Sequence, residues 1–343
     1  MKTTVLPFEN IIVQYQSRPS KLPEDIPPFK IMPVFKDYIW GGSLLITDFG
    51  KHTALSRVAE SWELSTHSDG ESIVDSGPHK GMRLSQLLSK RPDLCGGICE
   101  GGNFPVLIKL IDAKNSLSIQ VHPNDSYAWK VEGEPGKTEV WIILDCKEDA
   151  FVYYGFKKSI SKEELNKYIN SDTLPEVLYK RPVKRGDVIY IPAGTVHAIG
   201  AGIVLAEIQQ NSNSTYRIYD FKRLGQDGRP RPLHIKKALD VISLDTVDNA
   251  APGKRLLAVT YEYALEQLVS CSFFTVQRLT LEGRFIYSLN QNSFAALLCI
   301  DGATVIESES ETLCISKGEC VFVPKTQKGI FMKGSAKLLI ITK

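Results

Sequence analysis

The sequence of 343 residues lacks the features of several protein classes. No stretch approaches the roughly 18 apolar residues that a membrane-spanning helix requires. Lys and Arg number 41 against 39 Asp and Glu, so the formal net charge of +2 gives no basic field for nucleic acid or an acidic membrane. Residues 1–15 show no basic segment followed by an apolar core and a small-residue cleavage site. We therefore expect a cytoplasmic protein that binds neither nucleic acid nor membranes.

Cysteine is present, but not in a pattern that predicts cross-links or a structural zinc site. The set is odd in number and lacks paired C-x2-C spacing. Its members are Cys95, Cys99, Cys146, Cys271, Cys299, Cys314 and Cys320. Three residues separate Cys95 from Cys99, which favours a plain loop over a redox pair. We expect all seven to be reduced thiols.

Short apolar runs separated by turn residues dominate the chain and predict β-strands. The clearest runs are residues 106–111, 140–144, 151–154, 188–191 and 203–208. Helices are predicted at 83–90, at 161–170 and at 236–241, and the second begins with a Ser-x-x-Glu capping box of Ser161 and Glu164. Many short strands with a few short helices predict a mainly β fold, a sandwich or jelly-roll barrel.

Two segments repeat one pattern of a basic residue, Gly, an acid, four strand residues and Pro. Residues 185–197 align without gaps onto residues 317–329. Two copies of one barrel would leave such an echo, although Gly-acid turns also recur by chance. His197 of the first copy corresponds to Gly329 of the second. We therefore expect a metal site in the first copy only.

The proline content of the first thirty residues suggests a domain division. Pro19, Pro23, Pro27 and Pro28 exclude a long helix there. We predict an N-terminal arm at residues 1–28, a catalytic metal-binding domain at 29–260 and a smaller C-terminal β domain at 261–343.

Polar and apolar residues alternate in the segment 116–124. As a strand, this segment places Ser118, Gln120 and His122 on one face. The opposite face would carry Leu117, Ile119 and Val121. A buried polar face needs partners, and a metal ion suits a Gln-x-His pair.

Two further metal-ligand candidates are Glu139, just before an apolar run, and His197, after a predicted turn. With His122 they supply two imidazoles and a carboxylate, a set that suits Zn²⁺ or, less selectively, Fe²⁺, Mn²⁺, Co²⁺ and Ni²⁺. Gln120 would be a weaker oxygen donor. The other histidines, interpreted as surface or supporting groups, are His52, His67, His79 and His234.

Three cations point to an anionic ligand. Lys109 lies within an apolar strand, Lys137 precedes Glu139 by two residues, and Arg217 follows a polar segment. A cation in an apolar strand needs an anion, and a sugar phosphate would supply one. An internal salt bridge is the alternative for Lys109.

At these residues the chain resembles the type I phosphomannose isomerases, in their short bacterial form. The matching segments occur in family order over about two hundred residues, and the Gln-Val-His-Pro segment is the most specific. They are residues 38–42, 59–64, 117–124, 136–139, 192–200 and 207–217.

The resemblance implies a cupin-type double-stranded β-helix in two copies and the interconversion of mannose 6-phosphate and fructose 6-phosphate. It implies one zinc ion per chain, with the ligands Gln120, His122, Glu139 and His197. Arg217 and Lys137 match catalytic positions of the family. The substrate-binding candidates are Ser118, Lys109 and Trp40.

A cis-enediol mechanism follows from the reaction, in which a proton moves between C2 and C1 of the open-chain sugar. Arg217 would neutralise the developing enediolate. Metal-bound water, Glu207 and a histidine all stay open as the base. Trp40 and Trp62 are candidates to stack on the sugar, with core packing as the alternative for each.

Other functions remain open at this level. A cupin dioxygenase would keep the fold and metal, although Gln120 and the cations fit it poorly. A non-catalytic sugar-phosphate-binding regulator would keep the pocket without turnover. The expected partner is a small-molecule sugar phosphate, and we expect a monomer.

Overall fold

A computed structural model of the chain describes residues 25–343 except 97–98, 100–103, 226, 249 and 290–292. Most of the predicted N-terminal arm, residues 1–24, lies outside the described residues. The first strand begins at Phe29, where the packed fold was predicted to start. The α-helices of the described part are short: α1 Leu44–Thr47, α2 Leu84–Lys90, α3 Asp125–Val131, α4 Lys162–Asn170 and α5 Ile235–Val241. None of them has the length and apolar character needed to cross a membrane.

Strands form most of the regular structure. The strands before residue 250 are β1 Phe29–Met32, β2 Val34–Lys36, β3 Glu60–Leu64, β4 Ile73–Val74, β5 Val106–Ala113, β6 Ile119–Val121, β7 Glu139–Cys146, β8 Phe151–Phe156, β9 Leu178–Pro182, β10 Val188–Ile191, β11 His197–Ile199, β12 Ile203–Gln210 and β13 Tyr216–Tyr219. Those after it are β14 Arg255–Val259, β15 Tyr263–Ser270, β16 Thr275–Leu281, β17 Arg284–Ser288, β18 Ala295–Glu307, β19 Thr312–Ser316, β20 Cys320–Val323 and β21 Gly329–Thr342.

The mainly β class is therefore confirmed, as are all five predicted strands and all three predicted helices. Helix α4 begins with the predicted capping box, in which the Ser161 hydroxyl accepts from the Glu164 N–H and the Glu164 carboxylate accepts from the Ser161 N–H. The box satisfies two N–H groups that have no partner inside the helix, so it sets where the helix begins.

Two details differ from the sequence prediction. Helices α1 and α3 were missed, although α3 is capped by Asn124, whose side chain accepts from the Tyr127 N–H, a common role for Asn before a helix. The alternation predicted for 116–124 is wrong at Leu117. Strand β6 begins only at Ile119, so Leu117 precedes the strand and does not follow its alternation of faces. Leu117 lies on the same side as Ser118 and Gln120.

The strands form three antiparallel sheets, and the described strands close none of them into a barrel. Their orders are β10-β7-β12-β5-β3-β2, β13-β6-β11-β8-β9, and β14-β15-β16-β21-β18-β20-β1-β4 with β17 on β21 and β19 on β18. The third sheet unites strands from both ends of the chain, because β1 pairs with β20. Whether the chain divides at residue 260 stays a prediction.

The six-stranded sheet is the middle layer. Trp141 and Leu205 on one face pack with Val152 and Tyr154 of the five-stranded sheet. The other face contributes to a core shared with the ten-stranded sheet. Because both faces of this sheet are covered, β5, β7 and β12 are mostly apolar and do not alternate between apolar and polar residues. Functional side chains between the first two sheets are therefore shielded from water.

The sequence repeat has a structural counterpart. Gly186 and Gly318 adopt positive φ angles of 93° and 91°. Their N–H groups donate to the carbonyls of Ile143 and Cys299, each at 2.8 Å. Each turn leads into a four-residue strand, β10 or β20. The two segments are thus the same turn-and-strand unit in two places, and His197 occupies the position of Gly329.

Candidate metal centre and substrate cavity

The five-stranded sheet places three candidate residues side by side. Gln120 of β6 is the register partner of His197 on β11 and of Arg217 on β13. Directly paired residues of antiparallel strands point to the same face of the sheet. One row of the sheet therefore presents an imidazole, an amide and a guanidinium to the space between the sheets.

The six-stranded sheet supplies a second row. Lys109 on β5 is paired with Trp62 on β3 and with Glu207 on β12, and Glu207 is paired with Trp141 on β7. The Trp141 Nε1–H donates to Glu207 at 2.8 Å. Glu139, the first residue of β7, lies at the end of this sheet beside the histidines.

His122, Glu139 and His197 form a compact group of potential metal ligands. One ligand atom from each lies within 4.8 Å of the others, and all three residues are buried. His122 Nδ1–H donates to the Ser214 carbonyl and His197 Nδ1–H to the Thr195 carbonyl, each at 2.9 Å. These bonds leave each Nε2 lone pair directed away from the backbone, as a metal-ligating histidine requires. Gln120 Nε2 lies 3.4 Å from His197 Nε2.

The protonation states suit a cation. Burial, followed by the Lys137 charge, lowers the pKa of His122 well below its usual value and that of His197 to about 4, so both rings are neutral at pH 7. Burial and the Glu207 charge raise the pKa of Glu139 to about 7. A metal ion beside Glu139 would offset that cost by favouring its ionised form.

The hydrogen bonding also fits a bound cation. Glu139 Oε1 is buried and has no hydrogen-bond partner, which is costly unless another group neutralises it. The Lys137 ammonium contacts Glu139 Oε2 and lies 3.0 Å from His122 Nε2. The donor atoms thus already attract positive charge, and they fit a metal centre.

A charged network extends from this group. Lys109 Nζ lies 3.1 Å from Glu207 and 3.5 Å from Glu60. Although burial lowers the pKa of Lys109, these carboxylates raise it above its usual value. Lys137 lies 3.9 Å from Glu207. With neutral histidines, two ammonium groups face the three carboxylates Glu60, Glu139 and Glu207, so the network carries an excess of negative charge. A divalent cation would make the net charge positive.

A cavity of about 290 Å³ opens beside this network. Among its lining residues are the candidates Trp40, Lys109, Ser118, Gln120, Lys137 and Arg217. Arg217 Nε donates to the Ser118 hydroxyl at 3.3 Å and Nη1 to the Pro232 carbonyl at 2.9 Å. The fold thus brings the predicted catalytic and substrate-binding residues to one cavity next to the possible metal ligands. A larger cavity of about 540 Å³ lies on the other face of the six-stranded sheet and contains none of them.

The sequence prediction missed Arg231, which also lines the cavity. Two of its N–H groups bond to the Asp220 carboxylate, which Arg223 also contacts. Burial and the neighbouring Arg231 lower the pKa of Arg217 from its ordinary value. Arg217 and Arg231 both line the cavity and Arg223 lies behind them on Asp220, so the positive charges here exceed the one carboxylate and make this end of the cavity positive.

The remaining tryptophan and histidine candidates differ in whether they line the cavity, pack in the core or lie at the surface. Trp62 is fully buried, and its Nε1–H donates to Glu60 at 2.7 Å, so it packs in the core. Trp40 is almost buried but lines the cavity beside Leu117. His52 is exposed and His79 half-buried. His234 Nδ1 accepts from the Arg217 backbone N–H at 3.1 Å, and His67 contacts Glu134 at 2.9 Å, so these two are supporting groups.

Comparisons with known proteins agree along the chain. Residues 28–166 match the family model described as phosphomannose isomerase type I, catalytic domain, and residues 264–343 match that of mannose-6-phosphate isomerase, cupin domain. The chain is 38% identical over 319 residues to mannose-6-phosphate isomerase ManA of Bacillus subtilis, covering 91% of this chain and 98% of that one. It is 38% identical over 306 residues to a mannose-6-phosphate isomerase of Streptococcus mutans, covering 88% and 93%.

Solved structures give the same result. A crystal structure of mannose 6-phosphate isomerase from Bacillus subtilis superposes with a TM-score of 0.87 at 36% identity, over 92% of this chain and 99% of that one. A mutant phosphomannose isomerase from Salmonella typhimurium gives a TM-score of 0.71 at 17% identity, over 92% and 99%, and shares the fold. The cupin part of the fold prediction is confirmed.

Proposed function

This chain belongs to the type I phosphomannose isomerases and is therefore a mannose-6-phosphate isomerase, and we propose that it uses zinc and a cis-enediol intermediate to form fructose 6-phosphate. One observation carries the proposal: two neutral imidazoles and a buried carboxylate converge beside Gln120 and Lys137, which line a cavity that Arg217 and Arg231 also line. A metal-assisted reaction of a sugar phosphate needs metal ligands near the reacting carbons and cations near the phosphate. The dioxygenase and the regulator that the sequence left open gain no comparable support.

We assign the metal to Gln120, His122, Glu139 and His197. This set of imidazole, carboxylate and amide donors suits zinc in a catalytic site. When bound, zinc would polarise an oxygen on C1 or C2 of the open-chain sugar and so acidify the proton to be moved. The carbonyls of Ser214 and Thr195 keep both imidazoles in the tautomer that this role needs.

Arg217 is the residue that we propose to stabilise the enediolate. It is the register partner of Gln120, lines the cavity and hydrogen-bonds to no carboxylate among the described residues, so its charge is available to the substrate. A preorganised guanidinium beside developing negative charge lowers the barrier because it needs no reorganisation. Ser118, which accepts from Arg217, would orient it and contact a sugar hydroxyl.

Lys137 and Lys109 would have different roles. Lys137 contacts His122 and Glu139, and its ammonium is placed to donate to a substrate oxygen near the ligands. Lys109 is held by Glu60 and Glu207, so it would form a fixed positive wall of the cavity. Trp40 would supply an apolar surface for the sugar carbons.

Glu207 fits a counter-ion better than a base. Although burial raises its pKa, Lys137 and Lys109 lower it to about 2. A carboxylate that weakly basic is a poor proton acceptor at neutral pH. We propose that Glu207 holds the two lysines in place through ion pairs.

Arg231 would bind the phosphate group. Asp220 holds two of its N–H groups, which fixes the guanidinium at the cavity wall. Arginine suits phosphate because its planar fork can donate two parallel hydrogen bonds. The phosphate would then lie at the arginine end and the reacting carbons near the metal ligands.

A coupled assay of fructose 6-phosphate formation from mannose 6-phosphate tests the proposal. Turnover should disappear after chelation and return on addition of Zn²⁺, and the metal content of the protein should follow it. Unchanged turnover in fully metal-free protein would refute the metal requirement. Absence of turnover in folded, zinc-loaded protein would refute the assigned reaction.

A further inference from the structure

A chain of hydrogen bonds leads from His122 to a surface loop. His122 Nδ1–H donates to the Ser214 carbonyl at 2.9 Å. The hydroxyls of Ser214 and Ser212 both donate to Glu134 Oε1, the latter at 3.0 Å. The other carboxylate oxygen of Glu134 lies 2.9 Å from His67 Nε2. Glu134 therefore joins the segment that supports His122 to the loop that carries His67.

The proton on His67 can be placed from its second nitrogen. The Asp69 backbone N–H donates to His67 Nδ1 at 3.1 Å, so Nδ1 is the acceptor in this ring. His67 Nε2 then carries the proton and donates it to Glu134. The Asn213 amide also donates to Asp69 Oδ2 at 2.7 Å, so the two loops are tied at a second point.

Glu134 is built as an acceptor. Ser212 is fully buried, and the side chains of Glu134 and His67 are 22% and 12% exposed. Although burial raises the pKa of Glu134, hydrogen bonds from His67, Ser214 and Ser212 lower it to about 2. The carboxylate is ionised at neutral pH and receives three donors. It does not line the cavity, so these contacts serve neighbouring groups.

We propose that Glu134 and His67 are positioning residues that hold the Ser214 carbonyl against His122 Nδ1 and thereby keep His122 Nε2 turned toward the other metal ligands. The inference rests on the proposed metal centre. Its physical basis is that a ligating imidazole is fixed by the partner of its other nitrogen, whose loss typically weakens metal binding about 10- to 100-fold. Here that partner is a backbone carbonyl, and Glu134 fixes it through two serine hydroxyls.

This role can be tested by two measurements that do not depend on catalytic turnover. Chelated full-length protein is titrated with Zn²⁺ against a chromophoric chelator, and the imidazole nitrogens of the metal-free protein are followed by ¹⁵N NMR, with His122→Gln to assign the His122 signals. Glu134→Ala should weaken zinc binding about 10- to 100-fold and abolish the single Nδ1–H form of His122. Glu134→Gln keeps an oxygen for the two hydroxyls but cannot accept from His67 Nε2–H. Its loss of zinc affinity should therefore be smaller than that of Glu134→Ala. It also serves if Glu134→Ala fails to fold.

Glu132→Gln is the matched control. Glu132 lies two residues away and bonds to Tyr216 and Lys237, with no contact to the two serines, so zinc affinity should match wild type. The inference is overturned if folded Glu134→Ala binds zinc within about twofold of wild type, or if Glu132→Gln loses as much affinity. If wild type binds no zinc, the proposed metal centre fails instead. The His122 signals then still decide the positioning role: their loss in Glu134→Ala supports it, and their persistence overturns it.

Discussion

Lys109 and Glu207 are register partners on the neighbouring strands β5 and β12 of the six-stranded sheet, and their side chains form an ion pair of 3.1 Å. Both residues are buried. Taking two charges out of water costs several kcal/mol for each, and close pairing with further hydrogen bonds offsets the cost. Here Glu60 and Trp141 supply the further contacts. The charged groups therefore form one wall of the catalytic cavity. Their burial is offset only while every member of the network is present.

Lys109→Met should lower the free energy of unfolding by about 3–5 kcal/mol, because it leaves the buried Glu60 and Glu207 without their nearest cation. Urea unfolding of chelated protein measures the change. Lys222→Met is the control, since the Lys222 side chain is 79% exposed in its pair with Asp172 and the change should leave the free energy of unfolding nearly unchanged. Equal losses in the two variants would show that the inner pair has no special role.

Arg231→Gln should raise KM for mannose 6-phosphate about tenfold or more while zinc content stays unchanged, because a charge-assisted contact to phosphate is worth about 1.5–3 kcal/mol. Steady-state kinetics and metal analysis measure both quantities. Arg229→Gln provides the control, since Arg229 is exposed and outside the cavity lining. An unchanged KM in Arg231→Gln would exclude Arg231 as the phosphate ligand.

His197→Ala and Arg217→Ala should fail in different ways. His197→Ala removes a metal ligand, so zinc and turnover should be lost together. Arg217→Ala should retain zinc and lose mainly kcat, about 100-fold or more, because its charge acts on the enediolate. Zinc analysis beside kinetics separates the two. Full activity in either variant would refute its assignment.

The site illustrates what the sequence can predict. Period-two alternation around Gln120 and the repeat ending at His197 identified candidate metal ligands. Which residues share one face of a strand can be predicted from the sequence without knowledge of tertiary contacts. Glu60 was missed because β3 also carries Glu63, and a register irregularity between Trp62 and Leu64 interrupts the pattern. Glu60 faces the cavity, whereas Glu63 pairs with Lys51 at 2.6 Å.

Arg231 was missed for a different reason. It lies in the segment between β13 and α5, which has no periodic pattern and contains other arginines such as Arg223 and Arg229. Only the folded chain brings Arg231 to Asp220 and the cavity. Tertiary contacts of irregular segments are the part of this site that a single sequence does not encode in a readable pattern.

The contribution of Glu134 to stability should depend on pH. Its pKa is about 2 in the folded protein and about 4.3 when unfolded, so its contribution is complete above the unfolded pKa and is lost as pH falls from about 5 to 2. We expect wild type to exceed Glu134→Gln by about 1–2 kcal/mol more at pH 7 than at pH 2.5, after allowance for its partial exposure. Chemical unfolding of chelated proteins at both values measures this. A difference that does not change with pH would contradict the assigned hydrogen bonds.

Phe322→Ala should destabilise the whole chain by about 3–5 kcal/mol, although Phe322 lies in the predicted C-terminal domain. Its ring stacks on Phe29 at 5.2 Å and on Phe294 at 5.4 Å, and Phe104 lies 6.2 Å away. Phe29 and Phe104 belong to the predicted catalytic part, so one aromatic cluster spans the predicted boundary. Tyr261→Ala is the control, because Tyr261 is 92% exposed.

Tryptophan fluorescence can detect this coupling, since all four tryptophans, Trp40, Trp62, Trp129 and Trp141, lie before residue 260. Their unfolding transition should move to lower denaturant in Phe322→Ala, together with the loss of isomerase activity. If the two parts were stable on their own, the fluorescence transition would keep its midpoint while circular dichroism showed an earlier step. The shared cluster and the β1–β20 pairing favour the single transition, because removing Phe322 withdraws packing from strands on both sides of the boundary.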